Sequence, residues 1–369
     1  MEELRQEEIT SALLKTIKKK IKTIGRRVRI MEVCGTHTMT VYRYGLKNLL
    51  EEAGVELLSG PGCPVCITPD EYHEIVIDLL TKRDKMIVAT FGDMTRVPTS
   101  RGSLQTAVPA PSSFLKIVYS PIEALQLAQN YPDYEIVLFG AGFETTIPSL
   151  AFTIKEAQAR SLRNFSLLAA CWLIPPPLRA ILESGEVGLD GFLYPGHVSA
   201  IIGSAPYRFI AEEFKIAGAI TGFEPNDILL GIIATLDQII NGIPEVAIEY
   251  CRAVSVEGNP KALALMAEVF EVKDAFWRGL GFIPQSGLTL KNQFEEFDTL
   301  KRFSLNLIPS KKSFNPACRC GEVLRGLIQP TQCSLYERLC RPESPYGPCM
   351  VSFEGACLIY YKFGQRGKS

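Results

Sequence analysis

The sequence predicts an α/β protein: two similar parallel-sheet units followed by a third, mainly helical domain. Three observations carry that expectation. Short apolar runs recur between helical patterns, and strands apolar on both faces are what a parallel sheet covered by helices requires. With 369 residues, 47% of them hydrophobic, the chain exceeds one ordinary core and has material for two or three. Six of the 11 cysteines fall within the last 52 residues, which sets that stretch apart.

Taken in order, residues 5–24 fit an amphipathic helix, and the basic stretch over 15–29 reads as a solvated helix face. VRIMEV (28–33) is apolar and β-branched and stops at Cys34 and Gly35. Further strands are expected at VELLSG (55–60), KMIVATFG (85–92), LKIVYS (115–120), EIVLFG (135–140), FSLLAAC (165–171), DGFLYPG (190–196) and AGAITG (217–222). Helical patterns such as PDEYHEIVIDLLTK and PIEALQLAQ separate them. An internal echo, GFETTIPSL (142–150) against GFEPNDILL (222–230), supports two repeated units. The expected division is an N-terminal helix over 1–24, one unit over 25–130, a second over 131–240 and the third domain over 241–369. From 241 the pattern turns helical, as in PKALALMAEVFEV, and then becomes loop-rich around the cysteines.

Charged residues make up 21% and the formal net charge is −1, so neither a disordered chain nor a nucleic-acid binder is indicated. The opening MEELRQEEIT is acidic where a signal peptide would be basic and then apolar, and no apolar run of roughly eighteen residues occurs. The chain reads as cytoplasmic, with no membrane partner.

Where thiols are kept reduced, clustered cysteines hold a metal or exchange electrons. The tail runs Cys318-x-Cys320-x12-Cys333-x6-Cys340-x8-Cys349-x7-Cys357. It lacks the paired knuckles and histidines common in zinc sites, and thiolates scattered among Gly and Pro turns suit an iron-sulfur cluster; zinc and unligated core cysteines are the competing readings. A cubane takes four cysteines, which leaves a dithiol able to cycle through a disulfide beside it.

Cys34, Gly35, Thr36 and His37 follow a strand directly, in the crevice where parallel sheets bind ligands. A neighbouring His⁺ or helix N-terminus lowers a thiol pKa and favours the thiolate; a buried inert cysteine is the alternative. Cys63-Pro64-Val65-Cys66 follows Gly60-Pro61-Gly62 and precedes a helix opened by Pro69 and Asp70. Such a C-x-x-C can close a short disulfide or ligate a soft metal. Gly140-Ala141-Gly142 carries only part of the dinucleotide fingerprint: Thr145 stands at its third glycine, so Thr145, Thr146 and Pro148 read as a helix start with Glu144 beside it. His197 and Glu224 sit at strand ends and read as structural, and Asp93 with Arg96 reads as an ion pair ordering a loop. Cys171, Cys251, Trp277 and the phenylalanine-rich 270–303 stretch read as core.

Together the strings MEVCGTHT, GPGCPVC, FGDM-x-RVP, GFETT-x-P, PGHVSAIIG, TGFEP and GPCMVSFEGAC, in this order along nearly the whole chain, resemble the HypD family of nickel-iron hydrogenase maturation factors. Thr99 departs from that pattern, which has glycine after RVP. The resemblance implies a 4Fe-4S cluster in the third domain, with Cys318, Cys333, Cys340 and Cys357 as ligands. Cys320 and Cys349 would form a redox-active pair beside it, similar to the arrangement in ferredoxin:thioredoxin reductase. Cys34, Cys63 and Cys66 match the family's working thiols, with iron held between Cys34 and a small HypC-type chaperone. Cyanide is implied to arrive as a thiocyanate on a HypE-type partner, and CO to be added on the same scaffold, giving Fe(CN)2CO. On this reading His37 holds Cys34 as a thiolate or carries a proton. The chain is then a redox-active scaffold rather than a stand-alone enzyme. A cluster-dependent dithiol oxidoreductase acting on a protein disulfide is the rival expectation, distinguished by iron beyond the cluster.

Overall fold

In the computed structural model, which describes residues 2–307 and 315–364, a strand forms at every apolar run named above. The other residues of the expected first and third segments, 1, 308–314 and 365–369, lie outside the described residues. The strands are β1 (Val28–Glu32), β2 (Val55–Ser59), β3 (Met86–Thr90), β4 (Phe114–Ile117), β5 (Glu135–Gly142), β6 (Phe165–Trp172), β7 (Gly191–Pro195) and β8 (Ala217–Thr221). Three more follow: β9 (Val246–Ile248), β10 (Phe270–Trp277) and β11 (Gly281–Leu290).

They form two sheets. The first, ordered β2-β1-β7-β8-β9, is parallel throughout. The second, β10-β11-β6-β5-β3-β4, is parallel from β6 to β4 and carries an antiparallel hairpin at one edge. The strands are not divided at residue 130. The chain lays down β1 and β2, crosses to the second sheet for β3 to β6, and returns for β7 to β9. Apolar patterning marks where a strand exists but not its partner, and here Ile30 of β1 pairs with Gly191 of β7. The GFE echo accordingly falls once in each sheet, at the ends of β5 and β8.

The third segment is not mainly helical. PKALALMAEV forms a helix, Pro260–Val269, but the FEV that continues it opens β10. The β-branched and aromatic content of FEVKDAFW suits a half-buried strand, and no Gly or Pro separates it from the helix. Beyond β11 the described residues of the tail form only short helices, including Cys320–Leu324 and Ala356–Phe363, among turns.

Helix Glu2–Ile24 covers the first sheet by packing on helix Pro225–Asn241, where Lys20 pairs with Asp237 and Thr10 Oγ1 donates to Asn226 Oδ1 at 2.9 Å. Its Ile17 is fully buried, a contribution of roughly 1.5–3 kcal/mol. An aromatic cluster ties the hairpin to the second sheet: Trp277 stacks on Phe143 at 5.9 Å and meets Trp172 edge-on at 5.6 Å. No helix among the described residues is long and apolar enough to cross a membrane.

Candidate functional site

The carboxyl ends of β1, β2, β5, β6 and β7 converge on a cleft of about 120 Å³, lined by Cys34, Gly62, Phe143, His197 and Glu354 among others. Strand ends of both sheets thus face one space, where α/β folds bind ligands. Cys34 caps helix Gly35–Arg43, and its N–H donates to Glu32 Oε2 at 3.2 Å. Gly35 is required by close approach: a Cβ there would stand 2.4 Å from the Glu354 Cβ. Burial, reinforced by the charge of Glu354, pushes the Cys34 thiol up to about 12, and the His37 and Thr36 amides only partly offset this. The lowered pKa expected at a helix start is therefore not found. Desolvation wins, and Cys34 is held as the neutral thiol.

His37 does not hold Cys34 as a thiolate. Its Nε2 lies 3.0 Å from Thr221 Oγ1 on β8, and its ring packs on Phe223 at 5.2 Å. Burial draws its pKa down to about 4, so the imidazole is neutral and brings no positive charge to the sulfur.

Cys63 and Cys66 are joined in a disulfide, Cα to Cα 5.3 Å, across helix Pro64–Ile67. Proline at the first helical position suits the turn, and Cys66 N–H donates to Cys63 Sγ at 3.2 Å. Thr68 anchors the exit, donating to Pro64 O at 2.8 Å and accepting from Trp172 Nε1 at 3.2 Å.

All six tail cysteines line one small apolar pocket closed by Leu335, Tyr336 and Met350. Hydrogen bonds from Cys318 and Cys349 pull the Cys320 thiol well below its ordinary range, while Cys318 and Cys349, as donors, are raised. Tyr346 N–H donates to Cys340 Sγ at 3.3 Å. Gly347 is needed for space, since a Cβ would meet Cys318 Sγ at 2.5 Å. The donor set fits an iron-sulfur cubane: more than four soft thiols, an apolar shell and a main-chain amide aimed at sulfur. Among the described residues no three Cys, His, Asp or Glu side chains close around a single-ion position.

The tail is docked against the cleft at named points. Asp93 accepts from Phe353 N–H at 2.9 Å and Arg96 Nη2 donates to Val351 O at 3.0 Å, so this pair fastens the tail as well as its own loop. Tyr42 and Tyr360 pack at 4.2 Å, and helix Pro64–Ile67 lies against the turn Pro348–Met350, which carries Cys349.

Glu144 is buried, with Oε1 accepting from Ile174 N–H at 3.0 Å. His197 lines the cleft and stacks on Phe223 at 3.8 Å. Glu224 forms a capping box with Asp227 on helix Pro225–Asn241. Thr99 closes its turn by donating to Gly102 O at 2.8 Å. Cys171 is buried in β6 as expected, but Cys251 is exposed, because the chain turns outward after β9. Two residues that face the cleft thiol were not singled out from sequence, Glu32 and Glu354. Each is a lone carboxylate inside an apolar string, IMEVC and VSFEGAC, which is the signal that marks them.

By fold and site this is an α/β protein in which a cleft carrying a buried thiol lies beside a cysteine-lined tail. The HypD family model, described as the hydrogenase formation hypA family, matches residues 8–364. The chain is 43% identical to the hydrogenase maturation factor HypD of Rhizobium leguminosarum bv. viciae over 348 residues, covering 92% of this chain and 89% of that one. It is 41% identical to the HypD of Cupriavidus necator, covering 99% and 97%, and 42% identical to that of Escherichia coli K12, covering 93% and 91%. This chain belongs to the HypD family.

Proposed function

We propose that the chain is a hydrogenase maturation factor that works with other maturation proteins as a redox-active scaffold for Fe(CN)2CO. One observation carries the reading: Cys34 faces a cleft bordered by Gly62 and Pro64 of the C-x-x-C segment, while that segment's helix packs on the turn bearing Cys349. Cys34, the C-x-x-C segment and the turn of Cys349 thus sit on adjoining elements, which supports a relay of electrons from the tail to the cleft. Membership of the HypD family speaks for maturation, and nothing found favours a free-standing dithiol oxidoreductase.

In this reading Cys318, Cys333, Cys340 and Cys357 hold a 4Fe-4S cluster, which supplies electrons one at a time. Cys320 and Cys349 form a dithiol beside it, both lining the same pocket as the four ligands. Cys34 holds the cargo iron together with a cysteine of a HypC-type chaperone, and soft thiolate suits low-spin iron. A HypE-type partner presents cyanide as a thiocyanate. The S–C bond breaks, cyanide passes to the iron, the partner's sulfur leaves as a thiol, and Cys63 and Cys66 lose two electrons and two protons to become the disulfide.

The test is the infrared spectrum of Cys34→Ala copurified with its chaperone. The variant should fold and keep its tail iron but lose the CN and CO bands. Undiminished bands would place the cargo iron elsewhere.

A further inference from the structure

The turn joining β10 to β11 belongs to neither thiol centre, yet it touches both. Arg278 N–H donates to Ile67 O at 2.8 Å, one residue after Cys66. Its guanidinium pairs with Asp70 at 2.9 Å, the two side chains being 8% and 12% exposed. On the other side Gly279, at φ +79°, lies against Gly321, the neighbour of Cys320, so closely that a Cβ on Gly279 would stand 2.5 Å from the Gly321 Cα. The base of the turn is fixed by Trp277, whose indole N–H donates to Ser286 Oγ at 2.8 Å. Burying two charges costs folding free energy, and apolar residues close such a turn as well or better. The pair makes sense where location matters more than stability.

We infer that Arg278 is a positioning residue for electron passage, its pairing with Asp70 and the Gly279–Gly321 contact holding the helices of Cys66 and Cys320 at the separation their thiols need for exchange. This rests on the dithiol relay proposed above. In that exchange one tail thiolate attacks a sulfur of the Cys63–Cys66 disulfide, breaking its S–S bond and forming a mixed disulfide. The second tail thiol then displaces the first partner. Two electrons move, Cys320 and Cys349 end joined, and Cys63 and Cys66 each take up one proton. Nucleophilic attack at sulfur depends on access and alignment, so a displacement of about 1 Å is expected to slow it by one to two orders of magnitude.

The experiment uses full-length, cluster-loaded protein reduced photochemically without oxygen, quenched by alkylation, with Cys63 and Cys66 mapped by mass. Cys349→Ala sets the background rate. An Asp70→Leu/Arg278→Met double variant removes both charges together, and Gly279→Ala opens the contact on the opposite face. Each should retain parental iron content and visible spectrum while reducing the disulfide on the order of tenfold more slowly. Parental rates in both would overturn the role of Arg278. A parent no faster than Cys349→Ala would instead overturn the relay itself.

Discussion

Gly62 lies so close to Cys34 that a Cβ added to it would stand 2.6 Å from the Cys34 nitrogen and 2.7 Å from its Cα. The C-x-x-C segment and the cleft thiol are therefore in backbone contact, and no side chain fits between them. Gly62→Ala should cost about 1–3 kcal/mol of stability and weaken iron retention, because the two segments must separate. Gly92→Ala is the control: its Cβ would meet only Ile117, at 3.9 Å. Chemical unfolding of both variants checks this, and equal stabilities would remove the argument for tight contact.

Alanine replacement of Cys318, Cys333, Cys340 or Cys357 should each abolish the brown chromophore and about four irons per chain. Cys320→Ala and Cys349→Ala should keep both. Iron analysis and visible absorbance decide the outcome; a cluster that survives Cys318→Ala but not Cys320→Ala reverses the assignment.

Under oxidising conditions differential alkylation should find Cys63 linked to Cys66 and Cys320 linked to Cys349 within one chain. Cys34 should stay alkylatable only after unfolding, as a thiol 7% exposed requires. Four freely alkylatable thiols in the oxidised protein would leave the relay without a carrier.

Burial pushes the Glu144 carboxyl from 4.5 up to about 7. The folded state holds this proton more tightly than the unfolded chain, so its stabilising contribution is complete below about pH 4.5 and is lost as pH rises through 7. Buried His37 and His73 act with the opposite sign: their pKa values fall from 6.5 to about 4 and about 3, so stability declines as pH drops below 6.5. Between about pH 5 and 8, Glu144→Gln should gain on the parent by on the order of 3 kcal/mol. Urea unfolding at the two pH values tests this, and parallel behaviour of the two proteins would contradict it.

The residues legible from sequence are those whose chemistry is rare or whose pattern is local. Cys34, the C-x-x-C and the tail thiols stand out because clustered cysteine outside a disulfide framework has few other uses. The runs from β1 to β8 stand out because parallel strands are apolar on both faces. The hairpin β10–β11 was hidden: its first strand continues a helix without a breaker, and its own period is weak. Strand partners were equally hidden, since the return of β7 to β1 depends on how helices fill both faces. Glu354 and Arg278 matter through contacts with residues far away in the chain, and neither has a local signature. The reading of His37 as the group that holds Cys34 as a thiolate failed for a similar reason, because Thr221, beside its ring nitrogen, arrives from β8.

During synthesis β1 emerges long before β7, its central partner. At ribosomal speeds of about 5–20 residues per second, one edge of β1 waits on the order of ten seconds for its neighbour. A fragment ending near residue 130 would leave that edge bare, an invitation to aggregate. The second sheet likewise stays open until β11 has been made, so neither half is a self-sufficient unit that folds as it leaves the ribosome. The tail cysteines come last, onto a scaffold whose sheets can already close. The six clustered thiols, unlike Cys34, Cys63 and Cys66, are thus withheld from the nascent chain until there is a finished surface to receive them.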